Sequence, residues 1–389
     1  MWIHHLSLTH FRNYHKQEID LAKGLTLLLG DNAQGKSNLL EAIFLLATTR
    51  SERAGTDADL IDWAALEEMQ PVARVAARIE RADGPLELEV MIAGHPSKSR
   101  ATQWTASKRL RVNGVPRRSV DMVGQLTAVL FTTDDLELIT GPPSGRRRYL
   151  DVTLSQLEPQ YFRARQQYEK VMAQRNALLR RIQSGEAAQD ELDFWDEELA
   201  RDGAFIMIER AQAVDALAAH AAAAQKRLSG GSEELSITYV PRLEGWSSER
   251  VLTKQNDLPQ AIAGAQRAGR SRDIGAGLTL TGPHRDDLSF LLNGVAASSF
   301  ASRGQQRTAA LALRLAEATF MADRKGDLPV VLLDDVLSEL DEARRHAVLQ
   351  SLGDWEQLIM TSADHDRFDV ELPADTRTLR VVSGAIKKA

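Results

Sequence analysis

Apolar and polar residues alternate at the start of the chain, around Leu6 and Leu8, until Phe11-Arg12-Asn13-Tyr14 interrupts them. A period of two puts every second side chain on one face, so this opening predicts half-buried strand. Residues 25–29 form a short apolar run that ends at Gly30 and predicts a strand. Residues 38–48 are apolar on nearly every side, the pattern of a helix buried all round. Four runs, 72–79, 86–92, 110–112 and 128–131, are separated by Asp83-Gly84 and Asn113-Gly114 turns and predict antiparallel strands. From Leu157 the period becomes helical, with Tyr161, Tyr168, Met172, Leu179 and Ile182 at spacings of three, four or seven. Ser184-Gly185 breaks it, and a second helical stretch runs from about 191 to 228, where Gly230-Gly231 ends it. Two long helices around one loop predict an antiparallel hairpin. Residues 268–277, rich in Gly, Arg and Ser, read as a loop. Strands are expected at 278–281 and 288–292, followed by an Asn293-Gly294 hairpin turn. A helix over about 304–322 and a buried parallel strand at 330–333 complete the pattern.

The strand–loop–helix passage around Gly30 is where chemistry enters. Gly30-Asp31-Asn32-Ala33-Gln34-Gly35-Lys36-Ser37 matches G-x-x-x-x-G-K-[ST] without a gap. Glycines let the backbone curl so that its N–H groups face phosphate oxygens; Lys36 reaches the β- and γ-phosphates and Ser37 holds Mg²⁺. The helix that follows turns its positive end toward the anion. ATP and Mg²⁺ are therefore the expected cofactors, with Arg12, Asn13 and Asn38 joining the loop residues as candidates for nucleotide binding. The strand at 330–333 runs into Asp334 and Asp335. Asp334 is the second candidate for Mg²⁺, and Asp335 the candidate for orienting or deprotonating the attacking water.

Composition changes the picture little. With 389 residues, 43% of them hydrophobic, the chain can bury a large core and suggests two lobes. The absence of Cys excludes disulfides and thiolate metal sites, and a cytoplasmic location is the simplest expectation. No basic-then-apolar leader or membrane-length apolar stretch is evident, so no membrane association is expected. A net charge of −6 leaves room for nucleic acid only through local patches. Lys98, Arg100, Lys108, Arg109, Arg111, Arg117 and Arg118 form one basic stretch without an acid, and Arg146-Arg147-Arg148 a second. Lys108, Arg109, Arg111, Arg117, Arg118, Arg146 and Arg147 are the DNA-contact candidates. Nothing suggests reading of bases, so backbone or junction recognition is expected.

Phe300-Ala301-Ser302-Arg303-Gly304-Gln305-Gln306 resembles the signature of ABC ATPases, usually Leu-Ser-Gly-Gly-Gln, with Ser302, Gly304 and Gln305 matching and Arg303 departing. Ser338-Glu339-Leu340-Asp341 resembles the D-loop of the same class. That resemblance implies that Ser302, Gly304 and Gln305 of one subunit cover the nucleotide held by another, so that ATP drives homodimerisation. Three further stretches resemble the RecF family. They are Trp2-Ile3 through Tyr14; Thr133-Asp134-Asp135-Leu136 through Gly141, Pro143, Arg146-Arg147 and Tyr149-Leu150-Asp151; and Thr281-Gly282-Pro283-His284-Arg285-Asp286-Asp287. Gln174-Arg175-Asn176-Ala177-Leu178-Leu179 is similar to the arm of that family. The resemblance implies a weak, DNA-stimulated ATPase that binds double-stranded, gapped or junction DNA, acts with RecO and RecR and aids RecA loading. Thr133 stands where the family usually has Pro, and Asp335 where many ABC ATPases have Glu, which fits slow hydrolysis. Asp364 or His365 is a candidate γ-phosphate sensor. The expected architecture is α/β: an ABC-type head, mixed sheet plus antiparallel β subdomain, over 1–152 and 275–389, split by a helical lobe over 153–274. The alternatives are a transporter ATPase, a head of the chromosome-condensation class and an overcoming-lysogenization-defect-type nuclease. The long insert argues against the first, the short arm against the second, and the lack of an appended acidic metal-binding domain against the third.

Overall fold

Period-two alternation builds the first layer. In the computed structural model, which describes residues 1–389 except 68, 97–103, 353–354, 364–371, 374 and 389, a six-stranded antiparallel sheet forms from β1 (Trp2–Phe11), β2 (Tyr14–Asp20), β4 (Val72–Glu80), β5 (Leu86–Pro96), β6 (Trp104–Val112) and β7 (Val115–Arg117). Its order is β2-β1-β4-β5-β6-β7. Ile3, Leu6 and Leu8 of β1, Val75 and Ile79 of β4 and Leu88, Val90 and Ile92 of β5 are buried.

The second sheet takes the strands that are apolar at successive positions. Its order is β15-β14-β3-β13-β12-β8, from β3 (Gly24–Leu29), β8 (Ala128–Thr132), β12 (Val330–Asp334), β13 (Gln357–Ser362), β14 (Arg377–Val382) and β15 (Ala385–Lys388). All neighbours are parallel except β14 and β15. This corrects the expectation for 128–131: β8 does not continue the antiparallel series but pairs with β12, Ala128 opposite Val330 through Thr132 opposite Asp334. The reason is visible in its burial, since Ala128 to Phe131 are covered on both faces, as only an enclosed parallel sheet provides. Helix α1 (Lys36–Thr48) packs on β8, β12 and β13 and also on β4 and β5, which explains why it has no polar face. Short α2 (Ser119–Met122) lies between β7 and β8.

Contacts group Met1–Asp135 with Glu317–Ala389, and Leu136–Ala316 as a second unit. The boundaries expected at 152/153 and 274/275 both fall inside that second unit, because the helical pattern begins earlier than Leu157. It starts with α3 (Leu136–Thr140) and α4 (Pro143–Leu157) and continues through α5 (Pro159–Gln183), α6 (Leu192–Leu228), α7 (Ser248–Thr253), α8 (Leu258–Ala276), α9 (Ala297–Phe300) and the start of α10 (Arg303–Lys325). Helix α11 (Glu342–Leu352) belongs to the first unit. A small antiparallel sheet, β11-β10-β9, is made by β9 (Leu235–Val240), β10 (Asp287–Leu292) and β11 (Val295–Ala296), with Asn293 and Gly294 at positive φ in the β10–β11 turn.

The expected hairpin is α5 against α6, and α8 packs on both. Residues 268–276 are thus helical rather than a loop, with Gly277 as the left-handed cap of α8. Ile262, Gln266, Gly269 and Asp273 recur at three- and four-residue spacing and are buried, so the polar composition is a buried helical face. Residues 278–281 are not a strand. Asn176 Oδ1 accepts from the Thr279 N–H at 2.7 Å and Asp273 Oδ1 from the Leu280 N–H at 3.2 Å, so side chains satisfy that backbone where a ladder would.

Those contacts belong to a core with many ions. Arg175 is fully buried and donates to Asp196 and Asp273, each at 2.7 Å, and to Thr279 Oγ1 at 2.9 Å. Arg210 donates to Asp151 at 2.7 Å, Tyr161 at 3.0 Å and the Pro283 carbonyl at 2.7 Å. Asp286 accepts from Tyr239 and from the Arg242 N–H, and burial pushes its carboxyl above the usual range. Burial also brings His284 down to about 4, keeping it neutral between the Tyr168 hydroxyl and the Thr279 carbonyl. Removing one partner of a buried pair strands the other charge. Asp196→Ala should therefore lower stability by about 3 kcal/mol, read as a reduced urea midpoint of the unfolding monitored by helical circular dichroism.

Candidate active site

Three strand ends meet at one edge of the parallel sheet. Parallel register sets Asp334 of β12 beside Thr361 of β13, and Thr361 beside Leu28 of β3, one residue short of the strand's end. The phosphate loop leaves β3 there, the place where open parallel sheets hold ligands. Its backbone is left-handed at Ala33 and at Gly35, and α1 starts at Lys36. A side chain at Gly30 would put Cβ 2.3 Å from the Val381 carbonyl oxygen, so the glycine that opens the loop is a steric requirement of β14.

Lys36 is buried and its ammonium donates to the carbonyls of Gly30 at 2.6 Å and Asp31 at 2.8 Å. Burial lowers its pKa, although Asp335, Asp334 and Asp31 pull the other way. Ser37 Oγ donates to Asp334 Oδ1 at 2.7 Å, which brings together the two metal candidates. Thr361 Oγ1 donates to the same oxygen at 2.9 Å and accepts from the Asp335 N–H at 2.9 Å. Asp335 has φ +54, and its carbonyl accepts from Ser338 Oγ at 2.7 Å, within the D-loop-like segment. Ser37, Asp334 and Thr361 offer hard oxygen atoms only, a donor set that fits Mg²⁺ with few protein ligands.

The turn between β1 and β2 lies against the loop. Asn13 Nδ2 donates to the Gln34 carbonyl at 2.9 Å, and Asn38 Nδ2 donates to Asn13 Oδ1 at 2.9 Å. Arg12 is engaged otherwise: it binds the buried Glu41 in bidentate fashion at 2.7 and 2.8 Å and donates to the Asp59 carbonyl.

The family model for the RecF/RecN/SMC N terminal domain matches residues 2–382. A DNA replication and repair protein RecF from Roseiflexus castenholzii is 44% identical over the whole of both chains, and one from Chloroflexus aggregans 43% over 99% of each. The chain belongs to the RecF family. Among solved structures, that of the recombination mediator protein RecF-ATP in the RecFOR pathway superposes with a TM-score of 0.86 at 30% identity, covering 100% of this chain and 97% of that one. A Pyrococcus furiosus Smc head domain superposes at 0.53 with 17% identity, covering 100% of this chain and 96% of that one, a likeness of fold alone.

In this RecF-family chain the signature segment opens α10. Ser302 Oγ accepts from the Gln305 N–H at 3.3 Å while Gln305 Oε1 accepts from the Ser302 N–H at 2.8 Å, a capping box that leaves Ser302 exposed. The basic candidates do not form one patch. In β6, Arg109 and Arg111 face one side, whereas Lys108 faces the other, where it donates to Asp57 at 2.7 Å and the Thr49 carbonyl at 2.6 Å. Arg111 meets Glu89 at 3.1 Å, and Arg118 meets Asp121 at 3.3 Å. Arg117, opposite Leu110, lies on the Lys108 side and is exposed. Arg146 is buried, with Asp287 and the Leu138 and Gly141 carbonyls taking all its nitrogens, so it serves the interior of this unit. Arg147 is partly exposed and donates to the Asp286 carbonyl at 2.8 Å. Asp364, His365, Lys98 and Arg100 lie outside the described residues.

Sequence reasoning missed Thr361. Its signal was faint: a hydroxyl residue at the end of an apolar strand, meaningful only once the register beside Asp334 is known. Thr361→Val keeps the shape and removes the bridging hydroxyl. ATP turnover, followed by phosphate release, should fall roughly tenfold or more, with the melting temperature near that of the unaltered chain.

Proposed function

We propose that this chain is an ATP-dependent DNA-binding protein of recombinational repair and replication-fork maintenance, dimerising around ATP and hydrolysing it slowly to release. The observation that carries the reading is the meeting of Ser37, Asp334 and Thr361 at the mouth of the loop that holds Lys36.

Lys36 explains why a triphosphate should be bound well. Its ammonium is buried and hydrogen-bonded to two carbonyls, and burial penalises its charge more than the nearby Asp335, Asp334 and Asp31 favour it. A polyphosphate brings further negative charge up to the ammonium, so binding relieves a cost already present in the folded chain. Ser37 and Asp334 hold Mg²⁺, which supplies charge neutralisation on the phosphates. Asp335 orients the attacking water; its short side chain and left-handed backbone suit a slow reaction.

ATP bound by one copy is covered by Ser302, Gly304 and Gln305 of a second, whose helix start turns its positive end toward the γ-phosphate. Contacts made only in that dimer let ATP shift the equilibrium toward it, and hydrolysis reverses the shift. DNA is held through its backbone by Arg109 and Arg111, with Arg117 and Arg118 as further contacts. RecO and RecR are the working partners, RecA the indirect beneficiary, and the cytoplasm the site of action. Among the described residues no helix is long and apolar enough to cross a membrane.

Ser302→Arg should leave ATP affinity within about twofold and abolish the ATP-induced increase in mass seen by light scattering; dimers persisting with ATP would refute the shared site. Reversing Arg109 and Arg111 to Glu should weaken duplex and gapped DNA alike and reduce the slope of log affinity against log salt by roughly 2. An unchanged slope in a salt titration would remove these residues from the interface.

A further inference from the structure

The C-terminal hairpin makes a contact with the phosphate loop that the nucleotide chemistry leaves unexplained. Ser383 and Gly384 form the two-residue turn between β14 and β15, at φ +49 and +73. The Gly384 N–H donates to the Gln34 carbonyl at 2.9 Å, and the Ser383 N–H donates to Gln34 Oε1 at 2.7 Å. Asn13 Nδ2 reaches the same Gln34 carbonyl, also at 2.9 Å. One carbonyl oxygen therefore receives two donors from two different hairpin turns. The next carbonyl, that of Gly35, accepts from the buried Tyr14 hydroxyl at 2.9 Å besides the first helical N–H, from Leu39 at 3.1 Å. Burial raises the Tyr14 pKa, so the phenol remains a donor.

A trans peptide is planar, with its C=O and N–H pointing in opposite directions. Fixing the Gln34 carbonyl toward the two turns fixes the Gly35 N–H away from them. Fixing the Gly35 carbonyl does the same for the Lys36 N–H. Those are the amides at the start of α1 that a phosphate would meet. We infer that Asn13, Tyr14 and the Ser383–Gly384 turn are positioning residues that preset the Gly35 and Lys36 amides for a polyphosphate, so that the terminal hairpin is a working part of the nucleotide site. The packing agrees: a Cβ at Gly384 would lie 2.0 Å from the Asn13 carbonyl oxygen, and one at Gly35 2.7 Å from Asn13 Nδ2. The two turns and the loop thus touch at three points with no space for a side chain at either glycine. Preset donors bind more tightly than donors that must be ordered by the ligand.

The inference rests on the reading of the Lys36 loop as an ATP site, and the test separates the two. The full chain and three variants are titrated with fluorescent ATP, and then competed with Mg²⁺-tripolyphosphate, which lacks base and sugar. Tyr14→Phe removes one hydroxyl. Gly384→Ala forces the hairpin off Asn13. Gly114→Ala, at φ +74 in another two-residue turn with open space around it, imposes similar backbone strain far from the loop. Gly384→Ala is expected to weaken both ligands about tenfold or more, Tyr14→Phe roughly threefold to tenfold, and Gly114→Ala less than twofold. Unchanged tripolyphosphate affinity in Tyr14→Phe and Gly384→Ala, or a loss shared by Gly114→Ala, overturns the inference. Should Gly384→Ala not fold, Tyr14→Phe decides alone. If the unaltered chain binds neither ligand, the ATP reading itself fails.

Discussion

Parallel strands bring their carboxyl ends to one line, and here that line carries the phosphate loop after β3, Thr361 near the end of β13 and Asp334 at the end of β12. Everything at the site follows from that alignment. It joins Ser37 to Asp334 across 297 positions of sequence and sets the Thr361 hydroxyl where it bonds both members of the acidic pair. The enclosed sheet also dictates the character of α1, which is covered by strands of both sheets and so carries no polar stripe.

What could be read beforehand was what local pattern and spacing determine. The loop from Gly30 to Ser37, the helix after it, the acids at 334 and 335 and the long arm helices all have signatures within a dozen residues. Features that depend on pairing were hidden. The continuous burial of Ala128 to Phe131 belongs to a parallel strand whose partner is 200 residues away in sequence. The basic run from Lys108 to Arg118 looked like one patch until the pleat sent Lys108 and Arg109 to opposite faces. Residues 268–277 looked like a loop because they are rich in Gly, Arg and Ser; the burial of Asp273 against Arg175 is a tertiary fact.

The helical unit concentrates charge in its interior. The Gly282-Pro283-His284-Arg285-Asp286-Asp287 segment is tied down by Arg210, Tyr168, Tyr239 and Arg146. Gly282, at φ +137, passes so close to the Tyr168 hydroxyl that a Cβ would stand 2.3 Å from it. Such networks are weak as sources of net stability, but they tolerate few alternative arrangements, since each ion left unpaired is costly. That is a physical reason for a segment outside the phosphate loop and the acidic strand end to be so recognisable in sequence.

The terminal hairpin also bears on how the molecule is made. β3 lies between β13 and β14, and the loop it carries is held by residues 383 and 384. A chain emerging from the ribosome at roughly 5–20 residues per second waits about 20–70 s between synthesis of the loop and synthesis of those partners. During that interval an apolar strand with both edges unpaired is present in the nascent chain, the kind of segment that pairs with other chains. The nucleotide cradle is therefore completed only after β14 and its turn have been made, and a chain interrupted before residue 377 leaves one edge of β3 unpaired.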